Sequence, residues 1–238
     1  MGRPALPFAG MADQSVIPHL RRIPLFAKLG PDELDVLAER LRMKTFKRGD
    51  TIFRKDDPGT HLFLVLEGAV KIALPGELGQ EALVAFVRSG EFFGELALLD
   101  RSPRSATATA LEDTRAGLLA GDDFVAFLET HPATTRVVLE ALARMIRRLS
   151  DRVEDLIFLD VPSRVAKYLL DLARVNSDVA GADLELTLTQ DELASFIGAS
   201  RVAVNRVLGD LERRELISIR RRRIAIRDPD GLAREIRV

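Results

Sequence analysis

Apolar and polar positions follow three successive textures along the chain. Over residues 13–43, Leu34, Leu37, Ala38 and Leu41 fall three or four apart after a break at Gly30-Pro31-Asp32, which predicts helix. From Phe46 to Leu119 the apolar stretches shorten. Thr51-Ile52-Phe53, Leu62 to Leu66, Ala69 to Leu74 and Ala82 to Val87 are separated by Pro58-Gly59, Gly68, Pro75-Gly76 and Ser89-Gly90. Short strands between glycine and proline turns predict an antiparallel sandwich or barrel-like roll. Residues 122–158 return to helical spacing. There Leu139, Leu142, Ile146, Leu149, Val153 and Leu156 alternate steps of three and four, with charged residues on both flanks. Such a stripe suits a helix packed on its own domain or a parallel dimer seam. Its narrowness favours the seam.

Leu159-Asp160-Val161-Pro162 interrupts this helix, and Pro162 suits the first turn of the next. A helix over 163–176 turns Val165, Ala166, Leu169, Leu170 and Leu172 inward, and a polar loop runs from Asn176 to Ala182. The expected organisation is α+β. Residues 1–15 form a disordered tail, 16–130 an antiparallel β-roll with flanking helices, 131–159 a long helix, and 160–238 a second domain.

Composition narrows the function. The 238 residues include no cysteine and three histidines, His19, His61 and His131. A disulfide framework, a thiolate nucleophile, an Fe–S cluster and a Cys-ligated zinc are therefore excluded. No metal site is expected. No apolar run reaches membrane-helix length, the N-terminus is a poor signal peptide, and a cytoplasmic location is expected. Met11 is an alternative start. The net charge of −1 hides a local asymmetry. Residues 160–195 hold three basic against seven acidic side chains, a balance of −4. Residues 196–227 hold nine arginines against three acids, a balance of +6.

The basic segment carries a helix-turn-helix pattern. Thr189 and Glu192 read as a capping box, Gly198 closes a short helix, and Ser200 is an N-cap for a second. Ala194, Ile197, Val204, Val207, Leu208 and Leu211 supply its core. The exposed face of the second helix is predicted to carry Arg201, Val202, Asn205 and Arg206. Arginine bonds guanine and asparagine bonds adenine in the major groove. Two strands, Leu216 to Ile219 and Ile224 to Ile226, form a wing whose tip is Arg220, Arg221, Arg222 and Arg223. That tip is suited to phosphates. Each part alone also fits a packing motif or a solvated turn. Their coincidence points to double-stranded DNA.

Residues 93–106 read Phe-Gly-Glu-Leu-Ala-Leu-Leu-Asp-Arg-Ser-Pro-Arg-Ser-Ala. By spacing alone, Arg104 with Glu95 fits a loop salt bridge, or a small anion pocket with Gly94 and Ser105. The whole segment resembles the phosphate-binding cassette of cyclic nucleotide-binding domains and matches it at every fixed position. Phe158-Leu159-Asp160 resembles the hinge, and Val202 to Leu211 following Gly198-Ala199-Ser200-Arg201 the recognition helix, of the CRP/FNR family of bacterial transcription regulators. The resemblance spans residues 16–227.

It implies a nucleotide-binding β-roll, a dimerisation helix and a winged helix-turn-helix. Gly94, Glu95, Leu96, Arg104, Ser105 and Ser150 are then the nucleotide residues. Arg201 and Arg206 contact bases, and RNA polymerase is a partner. The resemblance implies a homodimer on a palindromic site, with cAMP as effector. Two departures stand out. Leu149-Ser150 replaces the Thr-Ser pair that meets the purine in cAMP-responsive members, and Val202 replaces a base-reading Glu. A same-fold regulator that needs no ligand is the alternative. An enzyme is not expected, since the residues after the hinge hold no catalytic motif.

Overall fold

The computed structural model describes residues 14–76, 81–176, 190–220 and 223–237. The predicted tail up to residue 13, most of the 176–182 loop, Thr189, Arg221 and Arg222 lie outside the described residues. The chain divides into two units. One comprises residues up to Pro75 and Val84–Leu142, the other Gly76–Leu83 and Ala143 onwards.

The helical N-terminal region is not continuous. It consists of a 3-10 turn at Gln14–Val16, helix α1 (Ile17–Leu20), a second 3-10 turn at Pro24–Phe26 and α2 (Pro31–Arg40). Pro18, Pro24 and Pro31 each occupy a first turn, where a missing N–H costs least, so each proline restarts the helix. Arg42 and Met43, included in the predicted helix, belong instead to strand β1 (Arg42–Phe46), which pairs antiparallel with a later strand.

The roll then follows with β2 (Thr51–Phe53), β3 (His61–Glu67), β4 (Ala69–Pro75), β5 (Glu81–Arg88), β6 (Phe92–Phe93), helix α3 (Leu96–Leu99), β7 (Thr107–Ala110) and β8 (Thr114–Ala120). These strands form two four-stranded sheets, ordered β1-β8-β3-β6 and β2-β7-β4-β5. The pairings described between them are antiparallel. One apolar cluster, with Phe46, Phe63, Val65, Val70, Phe93 and Ala108, fills the roll. A second packs Leu20, Phe26, Leu34, Leu37, Phe124 and Val138 against β3 and β8.

The region predicted as helix over 122–158 breaks at His131-Pro132 into α4 (Gly121–Thr130) and α5 (Pro132–Phe158). Helix α5 has 27 residues, about 40 Å at 1.5 Å per residue. The division between the units falls within it, between Leu142 and Ala143.

In the second unit, α6 (Val161–Asn176), α7 (Gln190–Ile197), α8 (Arg201–Arg213), the hairpin β9 (Ile217–Arg220) with β10 (Arg223–Ile226), and α9 (Pro229–Ala233) surround one core. Asp160 caps α6. Its Oδ1 accepts the Ser163 amide at 2.9 Å and its carbonyl accepts the Arg164 amide at 3.0 Å. Val165, Ala166 and Leu169 point fully inward, with Leu170 and Leu172 part-buried beside them. Ala194, Ile197, Val204, Leu208 and Leu211 are buried as the pattern predicted, and Val207 packs at their edge.

Candidate functional site

Two surfaces concentrate the predicted chemistry, one in each unit. In the first, Phe93 and Gly94 leave β6 and Glu95 opens α3. Gly94 adopts φ +85°, and a Cβ there would lie 2.6 Å from Nη1 of Arg104. Glycine is thus required twice over, by its left-handed backbone and by the closeness of the guanidinium. After the exposed Asp100 to Pro103 the chain turns back. The Arg104 amide donates to the Asp57 carbonyl and the Asp56 amide donates to the Arg104 carbonyl, each at 2.9 Å.

This return segment, which precedes β7, buries Arg104 to 3% exposure. Its Nη1 donates to the Gly94 carbonyl and its Nη2 to the His61 carbonyl, both at 2.7 Å. Its Nε is buried and has no partner. The guanidinium lies over Phe53 at 4.3 Å. Burial lowers the proton affinity of Arg104, and the charges of Glu95 and Asp57 oppose that shift. Burial also raises the Glu95 carboxyl above its usual range, against the pull of its own amide and of Arg104. Gly94, Glu95 and Leu96 are half-buried around this cation and Ser105 is exposed. Ser150 lies exposed on α5, in the second unit.

The stripe on α5 is only partly a free face. Leu139, Ile146, Leu149, Val153 and Leu156 are exposed in the single chain, Ile146 to 64% and Leu149 to 40%. Leu142 packs instead on the first unit's own core. Ile157 and Phe158, which lie off the stripe, are exposed as well.

The second surface is the helix-turn-helix. Gly198, at φ +70°, links α7 to α8. Ser200 caps α8, its Oγ accepting the Ala203 amide at 3.1 Å. Arg201, Val202 and Arg206 are exposed on α8, Val202 to 79%. Asn205, expected on the same open face, is half-buried and its Oδ1 is buried without a partner. By helical phase it shares the face of Arg201, Val202 and Arg206, so it is its amide oxygen that is covered, not its position that is turned away.

In the hairpin, Arg220 and Arg223 pair across the strands and Arg220 is exposed. Arg221 and Arg222 lie outside the described residues, so the predicted four-arginine tip is seen only at its base. Of the nine arginines in the basic segment, Arg213 and Arg214 are engaged by Asp210, and Arg214 also by Glu235. Their charge is compensated locally.

Several contributors carried no sequence signal. Phe53 and the His61 carbonyl reach Arg104 only through sheet topology. On the second unit, Arg152 lies 4.1 Å from the Phe196 ring and donates to the Leu83 carbonyl at 3.0 Å. Among the described residues no cluster of three or more His, Cys, Asp or Glu is placed to hold a metal ion. No described helix is long and apolar enough to cross a membrane.

Comparison with known proteins identifies two domain families along the chain. Residues 43–131 match the family description "Cyclic nucleotide-binding domain", and residues 163–235 match "Crp-like helix-turn-helix domain". The chain is 36% identical over 220 residues to the CRP-like cAMP-activated global transcriptional regulator of Mycobacterium tuberculosis, covering 92% of this chain and 98% of that one. It is 33% identical to the global nitrogen regulator of Synechococcus elongatus, covering 89% and 95%. Among solved structures, FixK2 from Bradyrhizobium japonicum superposes with a TM-score of 0.71 at 22% identity, covering 83% and 98%.

Proposed function

The chain belongs to the CRP/FNR family of transcription regulators, and from that premise we propose that it acts as a homodimer whose affinity for a palindromic DNA site is set by a cyclic nucleotide, cAMP first. The observation that carries the effector reading is the buried guanidinium of Arg104, whose Nε lacks a partner. A buried donor without an acceptor costs free energy, and an anion beside it removes that cost. A cyclic nucleotide supplies one singly charged phosphate. Arg104 would hold it through Nε, Ser105 would donate from its hydroxyl, and Gly94 would keep the approach open. Glu95 would accept from a ribose hydroxyl, and Leu96 would line the site. Ser150 is the residue we assign to the base. The M. tuberculosis relative's name, cAMP-activated, supports cAMP over other nucleotides.

The dimer reading rests on Leu139, Ile146, Leu149, Val153 and Leu156, an apolar row in water on a long helix. In the dimer two copies of α8 would enter successive major grooves about 34 Å apart. Arg201 and Arg206 would bond guanine, and Val202 would touch a thymine methyl. Ser200, Arg220, Arg221, Arg222 and Arg223 would hold phosphates. RNA polymerase, in the cytoplasm, is the partner that would receive the signal.

Effector coupling of this type is worth about 1–3 kcal/mol, roughly 5- to 150-fold in DNA affinity. The test is a titration of palindromic DNA with and without cAMP, cGMP or a cyclic dinucleotide. Enhancement by cAMP above the others supports the reading. Unchanged DNA affinity with all three overturns effector control and leaves DNA binding standing. The exposed Leu149 where cAMP-responsive members carry Thr favours a second reading, a regulator competent without ligand. Arg104→Ala separates the two, since unchanged promoter binding supports the second.

A further inference from the structure

We infer that Phe53 is a positioning residue for the anion site: its ring fixes the Arg104 guanidinium so that the Nε edge is the donor left for a phosphate. The inference rests on the reading of Arg104 as the anion ligand. It is carried by separate observations on strand β2 and in the roll's interior.

A guanidinium has five N–H donors in a rigid plane. Here one face of that plane lies over Phe53, with Cζ 4.3 Å from the ring centroid, and Phe63 lies farther away at 5.5 Å. The two terminal nitrogens are held by the carbonyls of Gly94 and His61. With one face on the ring and both ends tied, the plane cannot rotate without losing an interaction. Nε is the nitrogen that remains without a partner.

The ring is itself held. Phe53, Phe63 and Phe93 form a three-ring rack, with centroids 5.5 Å apart for Phe53 and Phe63, 5.8 Å for Phe53 and Phe93, and 5.0 Å for Phe63 and Phe93. Phe63 and Phe93 are also paired across β3 and β6. Strand β2 brings the first ring into this rack by an irregularity. Its register against β7 passes from Thr51↔Thr109 to Phe53↔Ala108, so two steps on β2 face one on β7. A bulge of this kind re-aims a side chain that a regular strand would place on the other face. The aromatic face therefore meets the cation by a local departure from the sheet. A leucine in the same place would fill the volume but offer no electron-rich face.

The test uses the full-length protein in three forms: wild type, Phe53→Leu and Phe53→Tyr. Calorimetric titration with cAMP should show Phe53→Leu weakened about 5- to 30-fold, the range of a desolvated cation–π contact. Phe53→Tyr, which keeps the face, should stay within about 2-fold. A second readout needs no ligand. In the NMR spectrum of the free protein, the Arg104 Nε–H signal should carry a ring-current shift and slow exchange in wild type and Phe53→Tyr, and lose both in Phe53→Leu. If Phe53→Leu keeps the wild-type Arg104 signal, or if Tyr and Leu weaken cAMP binding equally, the inference is wrong. If wild type binds no cyclic nucleotide, the effector reading fails and the NMR comparison still decides the role of Phe53. Thermal melts identify a variant that fails to fold; should Phe53→Leu do so, Phe53→Met supplies the form without an aromatic face and is held to the same two outcomes.

Discussion

Arg214 grips Glu235 through both of its terminal nitrogens, Nη1 to Oε2 at 2.8 Å and Nη2 to Oε1 at 2.5 Å. The pair ties the end of α8 to the segment after α9. It holds the Glu235 carboxyl below its ordinary value of 4.5, with Arg214 as the largest cause. A carboxylate with a lowered folded-state value stabilises the fold above its ordinary value, and loses that contribution as pH falls through the lowered one. Glu235→Gln should therefore melt below wild type at pH 7, and the two curves should converge only as pH falls below the ordinary carboxylate value of 4.5 and through the lowered one. Equal melting temperatures at pH 7 would show the pair to be energetically idle.

Glu95 has the opposite sign. Burial raises its carboxyl above the ordinary 4.5. Folding then favours the neutral acid, and stability falls as pH rises through the raised value. Glu95→Gln cannot ionise, so it should melt higher than wild type at pH 7, with the advantage closing as pH approaches 4.5. The same variant should bind cAMP more weakly, because an amide oxygen is a poorer acceptor for a ribose hydroxyl than a carboxylate. Differential scanning calorimetry across pH and a cAMP titration check the two halves separately.

Residues of the α5 stripe should divide by what they touch. Ile146→Glu places a charge on an exposed position, so it should convert the proposed dimer to monomers in sedimentation velocity while leaving the monomer's own melt unchanged. Leu142→Ala removes a side chain packed on the first unit's core. It should cost about 2 kcal/mol of stability, the low end for a leucine truncation. A dimeric Ile146→Glu protein would remove the seam assignment.

Base reading and phosphate binding should separate at Arg206 and Arg220. Arg206→Ala should cost about 1–3 kcal/mol on the preferred site and flatten discrimination at one base position. Arg220→Ala should weaken all sequences alike and reduce the salt slope by about one unit. Binding measured on specific and scrambled duplexes at several salt concentrations distinguishes them. Sequence-blind losses from both would overturn the assignment of roles.

Much of this site was legible in the chain because its chemistry is local. Gly94, Glu95 and Arg104 lie on one short segment, and the cap at Ser200 follows from a residue and its third neighbour. Interactions that depend on the return path of the chain were not legible. Phe53 meets Arg104 only because β2 is irregular. Leu142 keeps the heptad spacing yet turns to its own core, since periodicity identifies a face and not the partner that covers it. Asn205 matched an adenine-reading residue type on the right helix face, but its Oδ1 is buried, and spacing does not register what covers a side chain. The predicted N-terminal helix runs to residue 43 because Leu41 keeps the spacing of Leu34, Leu37 and Ala38, and spacing does not register that Arg42 and Met43 pair with β8. Arg214 counts fully in the basic balance of residues 196–227, although Glu235, which also engages it, lies beyond the counted segment.

The junction at Leu159-Asp160 has a mechanical consequence. The Leu159 amide still donates to Asp155 at 3.0 Å, completing the turn that ends α5. The first amides of α6 are taken by the carboxylate and carbonyl of Asp160. Both helix ends are thus closed on themselves, and no backbone hydrogen bond of either helix spans the joint. A change of angle there need not melt either helix, but it must carry or break the ion pair of Lys167 on α6 with Asp155 on α5, whose side chains meet across the joint. The joint is thus a short single-bond connection between two finished rods, fastened by an ionic latch.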